Sequence, residues 1–426
     1  MNDHADSAAL KLERARAAID GSKALNIWSY LDLENAHAAA AASDERRRTG
    51  QLRGPLDGEL IAIKGNIAVA NWPYEGGLRV RRGVRAHEDA PIIAKLRASG
   101  AILLGQTNMD AGALGATGRS IAGPIGLPRA PELSVGGSSG GSAAAIAAGH
   151  CAYALGTDTI GSVRIPAALS GITALKPTFG LLNTGGVLPV HQRFDHVGPM
   201  AAGIDQLQIL FDVLRGRVAN HATEPAATLR LAAVDNLDSV GVDPQIVASY
   251  EAALEKLLAC GHSVTRIDVA RFELGRVRRA VLALCEFAMW STHRETLQTQ
   301  PEAYDEPLRA MLEFGSRLSS DKLAEMSARI AGFNDCWRQA TRNFDVTLTP
   351  TTTVLAFPHS EPSPDTVADL TVMASATGLP AISVPLPVGP LPIGLQVIGH
   401  HNADPRLCTI AARISRTLFG VPTHDR

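Results

Sequence analysis

The chain is predicted to fold as an α/β protein, with a mixed or largely parallel sheet covered by helices. Three observations carry this. Short continuous apolar runs, Leu60-Ile61-Ala62-Ile63 and Ala101-Ile102-Leu103-Leu104, have the length of buried strands. Residues 91–99 carry Ile92, Ile93 and Leu96 at helical spacing, and Gly100 stops them. Helix followed by strand then recurs along the chain, as layered α/β domains require.

Taken in order, residues 7–50 are expected to form two helices, the second alanine-rich and ending near Arg48-Thr49-Gly50. The apolar run 60–63 forms a strand with Lys64 at its end. The run Val135-Gly136-Gly137-Ser138-Ser139-Gly140-Gly141-Ser142 leads into Ala143-Ala144-Ala145-Ile146, where small side chains suit a buried helix and Ser142 is the expected N-cap. Tyr153-Ala154-Leu155 is a brief strand, and Pro166-Ala167-Ala168-Leu169 opens another helix. Residues 219–226 turn polar and proline-bearing, which predicts a loop. Residues 230–340 are mostly helical around one strand–helix–strand passage at 231–234, 244–258 and 263–269. The apolar stretches 346–348, 381–385 and 393–398 are strands that rejoin the sheet. The whole is expected to be a single domain over 1–426 with a variable, mostly helical insertion around 219–340.

Composition excludes several classes. A formal net charge of −2 gives no reason to expect nucleic acid or an anionic membrane as partner. The arginine groups at 46–48 and 79–85 read as solvated faces. Five scattered cysteines without a CxxC pair point to reduced thiols in a cytoplasmic protein. The polar opening has no apolar signal-peptide core, and no run of ~20 apolar residues could span a bilayer. His150-Cys151 and His400-His401 lack metal-ligand spacing, so no metal site is expected.

Chemistry concentrates in the Gly/Ser run and in Gly156-Thr157-Asp158-Thr159-Ile160-Gly161-Ser162-Val163-Arg164. Glycine clusters are poor core material unless the backbone must bend sharply or approach something closely. A serine hydroxyl becomes nucleophilic when a neighbouring base removes its proton, and a buried lysine can be that base. Lys64, closing a buried strand, is the best-placed lysine, with Lys176 next. The Thr159-Ile160-Gly161-Ser162 turn can supply backbone donors to an oxyanion, with Ser162 as attacking group. The plain alternative is that these are glycine-rich turns capping helices. Gly137-Ser138-Ser139-Gly140-Gly141 also fits GxSxG, which would make Ser139 the nucleophile of an α/β-hydrolase elbow, but no convincing apolar strand feeds it. Asp158 and Arg164 are expected to pin the loop by hydrogen bonds.

These motifs resemble the amidase signature family of Ser–Ser–Lys hydrolases. The resemblance extends through Leu104-Gly105-Gln106-Thr107-Asn108-Met109-Asp110, Leu175-Lys176-Pro177-Thr178, Asp195-His196-Val197-Gly198-Pro199-Met200, Gly378-Leu379-Pro380-Ala381-Ile382-Ser383-Val384-Pro385 and Gly394-Leu395-Gln396-Val397-Ile398-Gly399. It implies the amidase-signature fold, a central mixed twisted sheet covered by helices on both faces. It further implies Ser162 as nucleophile, Ser138 as a bridging serine in a cis-peptide environment, and Lys64 as base. Thr159, Ile160 and Gly161 would form the oxyanion hole, Ser139, Asp158 and Arg164 would support it, and Gly136 and Gly137 would touch substrate. No cofactor is implied.

The match departs from the family at three places. Ile160 stands where glycine is usual, and its side chain is expected to restrict the acyl group to small or flat substrates. Gly65 follows the lysine where an acidic residue is common. Ala111 and Gly112 replace acidic and aromatic residues frequent in the amidotransferase branch. The leading expectation is therefore an amidohydrolase cleaving a small amide or a urea- or carbamate-like C–N bond. The alternatives are the glutaminase subunit of a tRNA-dependent amidotransferase and a non-catalytic homologue. The oligomeric state is open, a homodimer being compatible with the sequence.

Overall fold

Short strands buried along their whole length, with helices on both sides of the sheet, build the molecule outward. The computed structural model describes residues 7–217, 228–387 and 389–420, so the loop expected at 219–226 lies outside the described residues. The chain runs α1 (Ala8–Gly21), β1 (Trp28–Leu31), α2 (Leu33–Arg48), β2 (Leu60–Lys64), α3 (Pro91–Ala98) and β3 (Ile102–Thr107). Two small ribbons follow, β4 (Arg119–Ser120) with β5 (Gly123–Pro124) and β6 (Gly126–Leu127) with β7 (Ala130–Ser134). Next come α4 (Gly140–Ala147), β8 (Tyr153–Asp158), α5 (Arg164–Ser170), β9 (Thr173–Lys176), β10 (His196–Ala201) and α6 (Ile204–Arg215). Then β11 (Arg230–Asp235), α7 (Pro244–Ala259) and β12 (Ser263–Asp268) lead to the long helices α8 (Leu274–Thr299), α9 (Glu306–Ser316) and α10 (Ser320–Thr341). The chain returns through β13 (Val346–Pro350), α11 (Val372–Thr377), β14 (Ala381–Pro385), β15 (Gly394–Ile398) and α12 (Asp404–Phe419).

Eleven strands form one sheet in the order β1-β3-β2-β8-β10-β9-β14-β15-β13-β11-β12. Its middle, from β8 to β13, is antiparallel, while β3-β2-β8 and β13-β11-β12 are parallel. The sheet is therefore mixed. Side chains of β2 alternate between two apolar layers: Ile61 and Ile63 join the core that includes α3, α6 and α12, while Leu60 and Ala62 join the core with α1 and α4. By the same period Lys64 projects toward the α4 side, where the Gly/Ser run lies. No helix among the described residues is long and apolar enough to cross a membrane.

Three expectations change. The two helices of residues 7–50 are separated by β1, a half-exposed strand whose four residues carry no periodic signal and which exists by antiparallel pairing with β3. β9 and β10 also go unannounced, because β9 is only four residues long and β10 is broken by Gly198 and Pro199. Helix α4 starts earlier than expected, with Ser139 at the N-cap position and Ser142 inside the first turn. There the Ser142 hydroxyl donates to Leu155 O at 3.0 Å and pairs with Thr107 Oγ1 at 2.9 Å, so it locks α4 to the sheet. Within the segment expected as an insertion, β11 and β12 extend the sheet to its far edge.

Candidate active site

Lys64 is fully buried at the end of β2. Its Nζ lies 2.8 Å from Ser138 Oγ, 2.8 Å from Thr157 Oγ1 and 3.4 Å from Thr157 O. Burial pushes the amine down to about 7, against the pull of the Asp110, Asp158 and Asp195 carboxylates. Thr157 Oγ1 also accepts from Asn66 Nδ2 at 3.1 Å, so its acceptor capacity is filled by these two residues. Lys176, the other lysine considered, is likewise brought to about 7 by burial. Geometry separates them, because Lys176 Nζ meets Pro177 O and His196 Nε2 and neither serine.

The peptide bond Gly137–Ser138 is cis. A side chain at Gly137 would place Cβ 1.9 Å from Asp110 Oδ2, so only glycine fits there. Ser139 holds the two motif loops together: its N–H donates to Ser162 O at 3.0 Å and its hydroxyl donates to Thr157 O at 3.1 Å. Ser139 is fully buried in these bonds, which removes it as an exposed elbow nucleophile.

The second motif turns at Gly161, whose φ of 139° and whose virtual Cβ, 2.4 Å from Thr371 Oγ1, both demand glycine. The three residues expected to supply an oxyanion hole divide. Gly161 N–H donates to Asp158 Oδ1 at 2.7 Å and is committed to the scaffold. The N–H groups of Thr159, Ile160 and Ser162 carry no hydrogen bond to an acceptor among the described residues. Thr159 donates its hydroxyl to Asp195 Oδ1 at 2.7 Å, and Asp195 Oδ2 accepts from Val190 and His191 N–H, which fixes the turn's outer side.

Beneath the turn, Arg164 and Asp158 form a fully buried bidentate pair, Nε and Nη2 each 2.9 Å from a carboxylate oxygen. Burial alone would raise the Asp158 carboxyl; Arg164 overrides it and holds it down at about 2. The remaining guanidinium donors reach Thr371 O, Gln396 Oε1 and Ser375 Oγ at 2.7–2.9 Å. The pair thus ties the loop not only to itself but to α11 and β15.

Ser162 opens onto a cavity of ≈ 230 Å³. Its walls come from residues 113–117, from Thr159 and Ile160 of the turn, from Arg278 and Leu282 of α8, Met311 of α9, and residues 363–365, Val367 and Ala368. Most of this lining is apolar. Arg278 and Asp365 are its charged members, and Arg278 Nε is held by Asp369. Gly136 and Gly137, expected to touch substrate, do not line this cavity; Gly136 N–H is bonded to Ser134 Oγ and Gly137 abuts Asp110. Sequence reasoning assigned no role to Thr157, Asp110 or Asp195. All three stand inside quoted motifs, and that was the one signal available for them.

A family model described as Amidase matches residues 12–408. Among curated proteins, a glutamyl-tRNA(Gln) amidotransferase subunit of Symbiobacterium thermophilum is 32% identical over 415 residues, covering 86% of this chain and 84% of the relative. Among solved structures, a crystal structure of an amidase superposes with a TM-score of 0.90 at 28% identity, covering 97% of this chain and 96% of that one. The corresponding glutamyl-tRNA(Gln) amidotransferase subunit of Thermotoga maritima gives 0.73 at 28% identity, covering 84% and 83%.

Proposed function

From the premise that this chain belongs to the amidase signature family, and is an enzyme of C–N bond hydrolysis, we propose that it works through a serine acyl-enzyme in which Ser162 is the nucleophile. The observation that carries this is the buried Lys64–Ser138 contact at 2.8 Å, set between the two serine motifs. With Lys64 neutral, its two N–H bonds go to Thr157 O and Oγ1, and its lone pair faces the Ser138 hydroxyl. Ser138 gives its proton to Lys64 as it takes one from Ser162, and Ser162 Oγ attacks the amide carbonyl carbon. The N–H groups of Ile160 and Ser162 meet the developing oxyanion. The C–N bond breaks as the proton returns through Ser138 to the leaving nitrogen, and water cleaves the ester by the same relay.

Two substrate readings divide here. A small, largely apolar amide is supported by the cavity lining and by the fuller superposition on the amidase structure. A glutaminase role within a tRNA-dependent amidotransferase is supported by the curated relatives, and on sequence likeness alone it is the better supported of the two. That role would bring partner subunits and a tRNA, which the chain's charge gave no reason to expect, and would ask Asp365 and Arg278 to meet the ammonium and carboxylate of glutamine. Purified protein assayed against glutamine, small amides, ureas and carbamates, with Ser162→Ala as blank, separates them. Glutamine hydrolysis that needs added partner subunits would establish the second; turnover of an apolar amide by the lone chain would establish the first.

A further inference from the structure

Asp110 stands at the centre of a closed ring of hydrogen bonds for which the catalytic scheme has no use. Its backbone N–H donates to Ser138 O at 3.3 Å. Its Oδ1 accepts from Thr117 N–H at 2.8 Å and from the Thr117 hydroxyl, and its Oδ2 accepts from Gly118 N–H at 3.2 Å. Thr117 O in turn accepts from Ser134 Oγ at 2.7 Å, and Ser134 Oγ accepts from Gly136 N–H at 2.9 Å. The ring closes through Gly137, which packs directly on Asp110 Oδ2, to Ser138. Thr117, a member of the ring, ends the 113–117 stretch that walls the cavity onto which Ser162 opens. Ser138, across the ring, carries the hydroxyl bonded to Lys64.

We propose that Asp110 is a positioning residue of the acyl-transfer reaction, fastening the substrate-side wall at Thr117 and Gly118 to the Gly136–Ser138 loop so that the Ser138 hydroxyl stays in register with Lys64. The inference rests on the Ser162–Ser138–Lys64 reading. The side chain takes the N–H groups of Thr117 and Gly118 and the Thr117 hydroxyl, a set of partners that suits an ionised carboxylate as acceptor. Burial pushes this carboxyl up, and the Thr117 and Gly118 donors together with Lys64 work against that rise. Asn at this site keeps the shape but turns an NH₂ toward one of these donors and removes the charge. Lys64 faces three carboxylates, Asp110 after β3, Asp158 at the end of β8 and Asp195 before β10, each of which favours its charged form. Loss of one charge therefore lowers the pH at which Lys64 becomes neutral.

The test uses the full chain and a fluorophosphonate probe, with Ser162→Ala as blank and the labelling rate followed against pH and probe concentration. Asp110→Asn is expected to cut the maximal labelling rate by about tenfold or more. Its half-maximal pH should move below that of the wild type, while the half-saturating probe concentration stays within about twofold. Thr117→Val removes one donor and leaves the charge, so it should slow labelling severalfold at an unchanged midpoint, and Thr117→Ser should restore the rate. If Asp110→Asn does not fold, the Thr117 pair decides alone. Wild-type rate and midpoint in Asp110→Asn, or wild-type rate in Thr117→Val, would overturn the proposal. No labelling of the folded wild-type chain would instead overturn the serine reading, and the proposal with it.

Discussion

At the scale of single residues, the proposed chemistry depends on Lys64 being uncharged when Ser162 attacks. Because burial brings its pKa to about 7, the proton-accepting form grows as pH rises through about 7, and kcat/KM should rise with it and fall on acidification. A pH–rate profile checks this. Lys64→Arg keeps a permanent charge with no lone pair to offer, so activity should drop at least about a hundredfold at every pH. Ile160 lines the cavity beside Ser162, and Ile160→Gly should widen the range of acyl chains accepted. An unchanged acyl-chain profile would speak against the restriction ascribed to it. Ser138 and Ser162 stood out as candidates because glycine and serine at short spacing announce themselves locally, and Lys64 because it closes an apolar strand. Asp110 and Asp195 were not, since a carboxylate acquires its role only from loops that tertiary folding brings to it.

At the scale of elements, the turn before α5 is held by a charge pair that spans the sheet. Asp158 ends β8, Arg164 begins α5, and the guanidinium also ties down α11 and β15 through Thr371, Ser375 and Gln396. Arg164→Met would leave Asp158 buried without its cation. We expect a loss of about 3–5 kcal/mol in urea unfolding, with activity lost even where the protein remains folded. A loss below about 1 kcal/mol would show that the pair is dispensable to the fold. Gln396 explains why the late motif Gly394-Leu395-Gln396 belongs with motifs more than two hundred residues earlier. The sequence order could show that these motifs recur together, but not that one side chain joins them. Strand β1 was missed for a related reason: it is short and half-exposed, and pairing across the sheet creates it.

At the scale of the whole molecule, an α/β fold with a mixed or largely parallel sheet was readable from apolar runs and helical spacing, while the mixed sheet covered on both faces came with the family resemblance. The contribution of α8 and α9 to the cavity was not readable, because Leu282 and Met311 look like ordinary helical core residues until the fold sets them opposite Ser162. Part of the cavity wall therefore lies in the part of the chain with the least motif content, and the panel of amides must decide substrate choice. The central claim, a Lys64-driven serine acyl-enzyme, has a more direct test. Intact-mass analysis of the folded chain after fluorophosphonate treatment should show a single adduct, mapped to Ser162, forming faster as pH rises through about 7 and failing to form in Lys64→Arg. An adduct on Ser139, or labelling of Ser162 that is indifferent to both pH and Lys64, would contradict it.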